Sequence, residues 1–497
     1  MDEITVNKII SLGTPKVLLV GDFMLDAYVY GNAERISPEA PVPVLKVVKR
    51  EYRCGGAASV AAALSALGAK PVCLGVLGDD SRGDRLVAML QAMGADTTGL
   101  LRMEDRSTIT KQRLVGLAQH RHQQQLMRVD DESDVPLVAP VMEALVAAYR
   151  NRLAEADVVC LQDYGKGVLA KALSQAFIVL AREANKPTLV DPYAAADYDQ
   201  YRGASLITPN RFEASRAAGF AIDTKEDAGR AAEFFLHAFD FGAVIITLDR
   251  DGAFVKAADV AALVPTRAKS VYDVTGAGDV VLAALAVGLA AHWGWLAAAQ
   301  LANLAAGIAV GKFGTATVTI DEIVHERVLL SMGKAGKVLP LDLLLQVLAW
   351  HRSHSETIVF TSGCYDVLQG GHISYLNFCR EQGAVVVIGL NSDFSVRQLK
   401  GPPYPINTQN DRAAVLAALQ AVDYIVLIDD SSVFDLVKAI RPDVLIKGAE
   451  PGADSNVVGR EFVESCGGKV LIAPFVEEST AATSVEKSLS REARQQL

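Results

Sequence analysis

The chain has 497 residues, too many for one ordinary hydrophobic core, so the length predicts two or three domains. Apolar residues make up 51% and charged ones only 21%, which excludes a disordered chain. A net charge of −10 argues against a general nucleic-acid binder, although local Lys, Arg and backbone N–H groups can still hold anionic substrates.

The chain opens without the continuous apolar core of a signal peptide between Met1 and Ser11. From Lys16 to about Val328, short β-branched runs alternate with longer helical patterns. Val17–Val20, Val72–Val76, Val158–Leu161, Thr188–Val190, Leu206–Thr208 and Val244–Thr247 read as buried strands, with Ala-rich helices such as 57–67 and 280–290 between or after them. That alternation predicts an α/β fold with a mostly parallel sheet covered on both faces. The stretch from Tyr28 to Tyr52, with Val42, Val44 and Val47 alternating, predicts extra strands outside that sheet that could form a lid. The most apolar region, Val280–Val310, is broken by His292, Gly294, Gln300 and Asn303. Its uninterrupted pieces fall short of the ~20 residues that span a bilayer, so two buried helices and no membrane association are expected.

A composition break at Ser331–Lys337 marks a hinge, followed by an amphipathic helix from Pro340 to Trp350. Strands near Ile358, Val385–Gly389, Tyr424–Leu427 and Val444–Ile446 then predict a second, smaller α/β domain. The six cysteines (Cys54, Cys73, Cys160, Cys364, Cys379, Cys466) show neither a CxxC pair nor zinc spacing, which fits a reduced cytoplasmic protein. His120–His122 and His351–His354 lack acidic or Cys partners at a metal-binding spacing and read as solvated histidines.

Two stretches carry chemistry. Gly276-Ala277-Gly278 leads into an apolar helical run. Small residues at a loop-to-helix junction let backbone N–H groups approach an anion, and the helix dipole adds positive potential. Asp279 would stand at the helix start, able to accept a proton from an attacking hydroxyl. Read alone, the tetrapeptide is equally a Gly-rich turn with an N-terminal Asp. Asp22 and Asp26 follow a parallel strand's C-terminal end, where such sheets bind ligands, although Asp26 alone could be a solvated loop acid. The second stretch is Gly363-Cys364-Tyr365-Asp366 with Gly371-His372 opening a helix, directly after a strand.

Asp273–Asp279 resembles the C-terminal signature of ribokinase-type sugar kinases, Asp-x-Thr-Gly-Ala-Gly-Asp, and Gly55-Gly56-Ala57-Ala58-Ser59 resembles their N-terminal one. The uninterrupted Arg35–Pro43, Gln123–Asp130, Asp163–Gly167 and Tyr201–Asn210 segments narrow the resemblance to heptose-7-phosphate kinases. The resemblance implies Asp279 as general base and Gly276, Ala277 and Gly278 as anion hole. It further implies Asp22, Asp26, Gly55 and Gly56 as sugar contacts, and Asn210, Arg211, Phe212, Glu213 and Thr247 as ATP contacts. Asn210 and Glu213 would act on Mg2+ through water, since that ion prefers oxygen ligands. Three departures touch this half. Ser59 replaces a usual Asn, Tyr193 replaces a usual Lys, and an insertion lies around Leu117–His120. Asp249 stands where the strand-to-loop ATP contact usually has Gly, and Thr247–Gly252 reads equally as a hairpin turn.

From the second signature on, the chain resembles the cytidylyltransferase-like domains, and in particular the adenylyltransferase half of bifunctional ADP-heptose synthases. Gly363, Gln369, His372, Lys400, Ser479 and Thr480 are the implied nucleotide contacts. Gln369 replaces the first His of His-x-Gly-His, Tyr404 a usual Arg, and Ala449-Glu450 part of a usual Gly-Gly-Asp. A glutamine can donate to phosphate but cannot carry an imidazolium charge. Two expectations therefore stand side by side. One is a bifunctional enzyme that phosphorylates heptose 7-phosphate with MgATP and later couples heptose 1-phosphate to AMP. The other is a kinase whose C-terminal domain serves binding, dimerisation or structure. The expected domains are 1–331, a connecting segment 332–355 and 356–497, in a protein that forms homodimers.

Overall fold

β-Branched runs such as Val17–Val20 and Val385–Ile388 are buried throughout the computed structural model. It describes residues 4–117, 124–133, 135–193, 197–266, 274–312, 314, 316–331, 337–429, 433–448 and 457–474. The chain divides into two compact units between Ile323 and Val324. Of the hinge expected at Ser331–Lys337, residues 332–336 lie outside the described residues.

The first unit is built on a nine-stranded sheet. In spatial order its strands are Ala261–Val264, Ala253–Ala257, Ala243–Thr247, Leu206–Ile207, Thr188–Asp191, Val158–Gln162, Lys16–Gly21, Lys70–Gly78 and Asp96–Met103. All neighbours run parallel except at the Ala253–Ala257 hairpin, which is antiparallel to both its partners. From Lys16–Gly21 the chain proceeds to Lys70–Gly78 on one side, and later resumes at Val158–Gln162 on the other. The order therefore reverses between Lys16–Gly21 and Val158–Gln162, and open α/β sheets bind ligands at the carboxyl ends of strands flanking such a switch. Leu18, Val20, Val159 and Leu161 pack with Tyr149, Phe177 and Phe235 from the crossover helices in one apolar core.

A separate four-stranded sheet has the order Pro43–Gly56, Phe23–Ile36, Thr110–Gly116, Gln124–Asp131. Its first two strands are those expected between Tyr28 and Tyr52. The other two come from the segment carrying the Gln run, where polar alternation gave no strand signal. Its apolar side chains Ile36, Val48 and Met127 are exposed at 64%, 63% and 56%, too high for a sheet face covered by its own unit. The Val280–Val310 region forms the two expected helices, Ala277–Ala290 and Trp295–Ala309. Among the described residues no helix is long and apolar enough to cross a membrane.

The second unit holds a five-stranded, all-parallel sheet in the order Tyr424–Ile428, Val385–Asn391, Ile358–Gly363, Val444–Gly448, Lys469–Ala473. The expected amphipathic helix runs from Leu341 to Ser353. One expectation fails on it. His351 is not solvated: it is 8% exposed, its Nδ1 meets Glu356 Oε2 at 2.5 Å and its Nε2 meets the Tyr424 hydroxyl at 2.8 Å. Helical spacing turned it inward, where two partners satisfy both ring nitrogens.

Candidate active sites

At the carboxyl ends of the large sheet a cavity of ≈ 1030 Å3 is lined by the expected ATP contacts and by Ala277 and Gly278, whereas Gly276, Asp279 and the expected sugar contacts Asp22, Asp26, Gly55 and Gly56 are not in its lining. Gln162, Asp191, Asn210, Thr247, Gly278 and Asn303 are among its lining. Gly276, with φ +80°, turns the chain into the Ala277–Ala290 helix, and among the described residues no side chain caps that helix start. The Ala277 N–H donates to the Val274 carbonyl at 3.3 Å, so it is the Gly278 N–H and the positive dipole end that this helix start offers to an anion.

Asp279 lies in that first turn and is only 3% exposed. The Tyr164 hydroxyl donates to its Oδ1 at 3.2 Å, Gln162 Nε2 donates to the same oxygen at 3.3 Å, and the Ser59 hydroxyl also bonds it. Burial, followed by the neighbouring Asp191 charge, pushes the Asp279 carboxyl up to about 7. Asp191 ends its own strand, accepts from Gln162 Nε2 at 2.7 Å and from Thr208 Oγ1 at 3.3 Å, and is pushed by burial to about 6. A carboxyl raised to about 7 directly behind the cavity-lining Gln162, Tyr164 and Gly278 is in the state a general base requires.

Asp22 is held differently. The backbone N–H groups of Tyr164, Lys166 and Val168 donate to its two oxygens at 3.0, 3.0 and 3.3 Å. Its carboxylate anchors the loop that presents Tyr164 to Asp279. Asp26 sits on the lid strand, 3% exposed and ion-paired with Arg113 at 2.9 Å, not solvated. Gly55 backs onto it, since a Cβ there would lie 3.0 Å from Asp26 Cγ. Gly56 has φ +55°, and a Cβ would lie 2.4 Å from the Asp22 carbonyl oxygen, so only glycine fits this strand-to-helix turn.

Asn210 and Glu213 cap the Arg211–Ala218 helix reciprocally. Asn210 Oδ1 accepts the Glu213 N–H at 2.9 Å, and Glu213 Oε2 accepts the Asn210 N–H at 2.9 Å. Burial pushes the Glu213 carboxyl to about 7. Arg211 is committed to the neighbouring hairpin, donating to Asp249 at 2.9 Å, Asp251 at 2.5 Å, and the carbonyls of Leu248 and Ile222 at 2.8 and 2.7 Å. The hairpin reading of this stretch is therefore correct as structure, with Asp249 at φ +51° where the kinase pattern has glycine. Phe212 is 69% exposed at the cavity rim. Tyr193 covers Gly165 there, its ring carbon 2.7 Å from where a Cβ would stand.

In the second unit, Gly363 ends a central strand and Gln369 caps the Gly370–Gln382 helix. The Gln369 N–H donates to His372 Nδ1 at 3.1 Å, which leaves the neutral ring's proton on Nε2. Asp366 accepts the N–H groups of Ile406 and Asn407 at 2.8 and 2.9 Å and so fixes the loop carrying Tyr404. Lys400 Nζ lies 5.4 Å from the centre of the Tyr404 ring. Arg412, which sequence reasoning missed, is 2% exposed and ties the Cys364 and Asn391 carbonyls together at 2.6 and 2.8 Å. Ser479 and Thr480 lie outside the described residues, as do Glu450 and Asp273. Among the described residues no group of three or more His, Cys, Asp or Glu side chains is arranged to hold a metal ion.

Fold and sites together define a sugar kinase of ribokinase type followed by a nucleotidyltransferase-type unit. The family model for pfkB family carbohydrate kinases matches residues 14–322, and that for cytidylyltransferase-like domains matches 360–478. Phosphofructokinase-2 from Escherichia coli has a TM-score of 0.53 at 18% identity, covering 64% of this chain and 99% of that one. Arabidopsis thaliana ribokinase has a TM-score of 0.51 at 17% identity, with 63% and 98% covered, so both likenesses speak for the fold. Over nearly the whole length the chain is similar to proteins called bifunctional protein HldE. It is 41% identical to that of Geobacter metallireducens, with 95% of each chain covered, and 40% identical to that of Pelobacter propionicus, with 99% and 100% covered. The chain belongs to this bifunctional HldE family, a pfkB carbohydrate kinase joined to a cytidylyltransferase-like nucleotidyltransferase.

Proposed function

We propose that the first unit transfers the γ-phosphoryl group of ATP to the anomeric hydroxyl of a heptose 7-phosphate. The second unit then joins heptose 1-phosphate to AMP, yielding ADP-heptose and pyrophosphate for the lipopolysaccharide inner core. The observation that carries the reading is the full-length similarity to bifunctional relatives, with Asp279 at the kinase switch point. That similarity favours two activities over a kinase with an inert C-terminal domain. We assign the kinase to 1–331 and the nucleotidyltransferase to 356–497, with 332–355 between them.

In the kinase step Asp279 takes the proton of the attacking hydroxyl, and that oxygen displaces ADP from the γ-phosphorus. The anion hole of Gly276, Ala277 and Gly278 would meet the negative charge on the transferring group through the Gly276 and Gly278 N–H groups, the Ala277 N–H being held by the Val274 carbonyl. Asp191 and Glu213 fit a divalent cation: both offer carboxylate oxygens, are raised by burial, and bond only neutral partners in Gln162, Thr208 and the Asn210 amide. Mg2+ bound there, largely through water, would neutralise charge on the ATP phosphates. Asn210, Thr247 and Phe212 border the same cavity and would receive the nucleotide. Asp26, Gly55 and Gly56 would border the sugar, with Asp22 shaping the loop behind it.

In the second unit, Gly363, Gln369, His372 and Lys400 would hold ATP, with Ser479 and Thr480 completing the site. We further propose a cytoplasmic homodimer. All six cysteines are free thiols, as a reducing compartment requires, and the exposed Ile36, Val48 and Met127 would be covered by a second copy. Measuring ADP release against a panel of sugar phosphates tests the substrate. Stimulation by heptose 7-phosphate alone is expected, and stimulation by other sugars without it would overturn the assignment.

A further inference from the structure

Gln162 ends the strand Val158–Gln162, is 1% exposed and lines the kinase cavity. Its Nε2 donates to Asp191 Oδ2 at 2.7 Å and to Asp279 Oδ1 at 3.3 Å, one hydrogen for each carboxylate. Its Oε1 is buried and has no hydrogen-bond partner among the described residues. A buried acceptor is almost always satisfied in a native protein, so an open one inside a cavity indicates a donor that arrives with the ligand. The placement is built into the sheet. A Cβ on Gly21 would stand 2.3 Å from the Gln162 carbonyl oxygen and 3.1 Å from its Cβ, so glycine on the adjacent strand makes room for this side chain. Across the site, Ser59 reaches Asp279 with a hydroxyl where the kinase signature has an asparagine amide.

We propose that Gln162 is a positioning and sugar-contacting residue of the kinase: its NH2 group holds Asp279 beside Asp191, and its Oε1 accepts a hydrogen bond from a sugar hydroxyl vicinal to the one phosphorylated. The amide function absent at Ser59, on the helix Ala57–Ala66, is supplied from the end of the strand Val158–Gln162. Two buried carboxylates side by side repel each other, and a shared donor lets both keep a fixed orientation. Nε2 bonds Asp279 at 3.3 Å and Oε1 belongs to the same amide, so a sugar whose reacting hydroxyl meets Asp279 would have its neighbouring hydroxyl near Oε1. Glutamine at this position thereby selects for a polyol over a simple alcohol.

The inference rests on the reading that this site phosphorylates a sugar hydroxyl. The full chain is compared with Gln162→Met, which keeps the volume and removes both polar atoms, and with Gln162→Met/Ser59→Asn. ADP release is measured with sugar phosphate and ATP varied separately. At saturating Mg2+, Gln162→Met should lower kcat/KM for the sugar phosphate about 10- to 100-fold, the worth of hydrogen bonds to charged groups, and by clearly more than it alters the KM for ATP. Adding Ser59→Asn should recover part of the loss by returning an amide to Asp279. With an analogue lacking the vicinal hydroxyl, the gap between parent and Gln162→Met should narrow. An unchanged kcat/KM, an equal loss in the KM for ATP, or a gap that persists with the analogue would each overturn the proposal. Absence of turnover by the parent chain with heptose 7-phosphate would count against the substrate reading instead. The comparison would then use whichever sugar phosphate on the panel supports turnover.

Discussion

Asp279 combines three properties that rarely coincide in a structural carboxylate. It sits at an uncapped helix start, it is buried, and its carboxyl is pushed up to about 7 by burial and Asp191. Asp279→Asn preserves shape and removes the proton acceptor, so kcat should fall by roughly 10²–10⁴ while ATP still binds, as calorimetry on the variant would record. A base must be ionised to act, so kcat/KM should climb as pH rises through about 7 and level off above it, which a pH–rate profile checks. Glu213→Gln separates metal binding from helix capping, because glutamine can still accept the Asn210 N–H. The Mg2+ concentration for half-maximal rate should rise about 10- to 100-fold, while the thermal midpoint at pH 4, where Glu213 is protonated in the folded chain, stays near the parent value. Asp279 and Gly276–Gly278 were legible because loop, glycines and helix start are contiguous in sequence. Gln162 and Tyr164 were not legible as partners of Asp279, since they meet it from 117 and 115 residues away through strand pairing that no local pattern encodes.

At the scale of elements, the parallel strands were readable because burial on both faces demands continuous β-branched runs. The antiparallel Ala253–Ala257 and Ala261–Val264 strands were missed, being short and alanine-rich at the sheet edge. Half of the lid sheet was missed for the opposite reason: all but the last residue of Gln124–Asp131 are exposed, so no apolar alternation marks it. The strand-to-helix joint at Gly56 ties the lid to the large sheet, because its amide neighbour Ala57 donates to the Asp22 carbonyl at 3.0 Å. Gly56→Ala places a side chain at φ +55° against that carbonyl, and should destabilise the first unit by more than about 1 kcal/mol in denaturant melts. Activity should fall with it, since Asp22 holds the loop bearing Tyr164.

Across the whole molecule, the active-site carboxyls oppose stability. Asp279, raised to about 7 when folded, holds its proton in the native state after the unfolded chain has lost it, above roughly pH 4. Its contribution is therefore fully present below the unfolded value and is lost as pH rises through about 7. Asp279→Asn should raise the thermal midpoint relative to the parent at pH 8, by roughly 2 °C or more, with little difference at pH 4. Both units retain the strand-end architecture of their families, and the second one keeps His372 on a helix start despite Gln369 in the place of a histidine. The central claim is phosphorylation at the anomeric carbon of an already phosphorylated heptose. Phosphorus NMR of the full chain with MgATP and heptose 7-phosphate tests it most directly. A new sugar phosphate resonance coupled to the anomeric proton, growing in step with ADP, is expected. Phosphate at another carbon, or ADP formed with no new sugar phosphate, would contradict it.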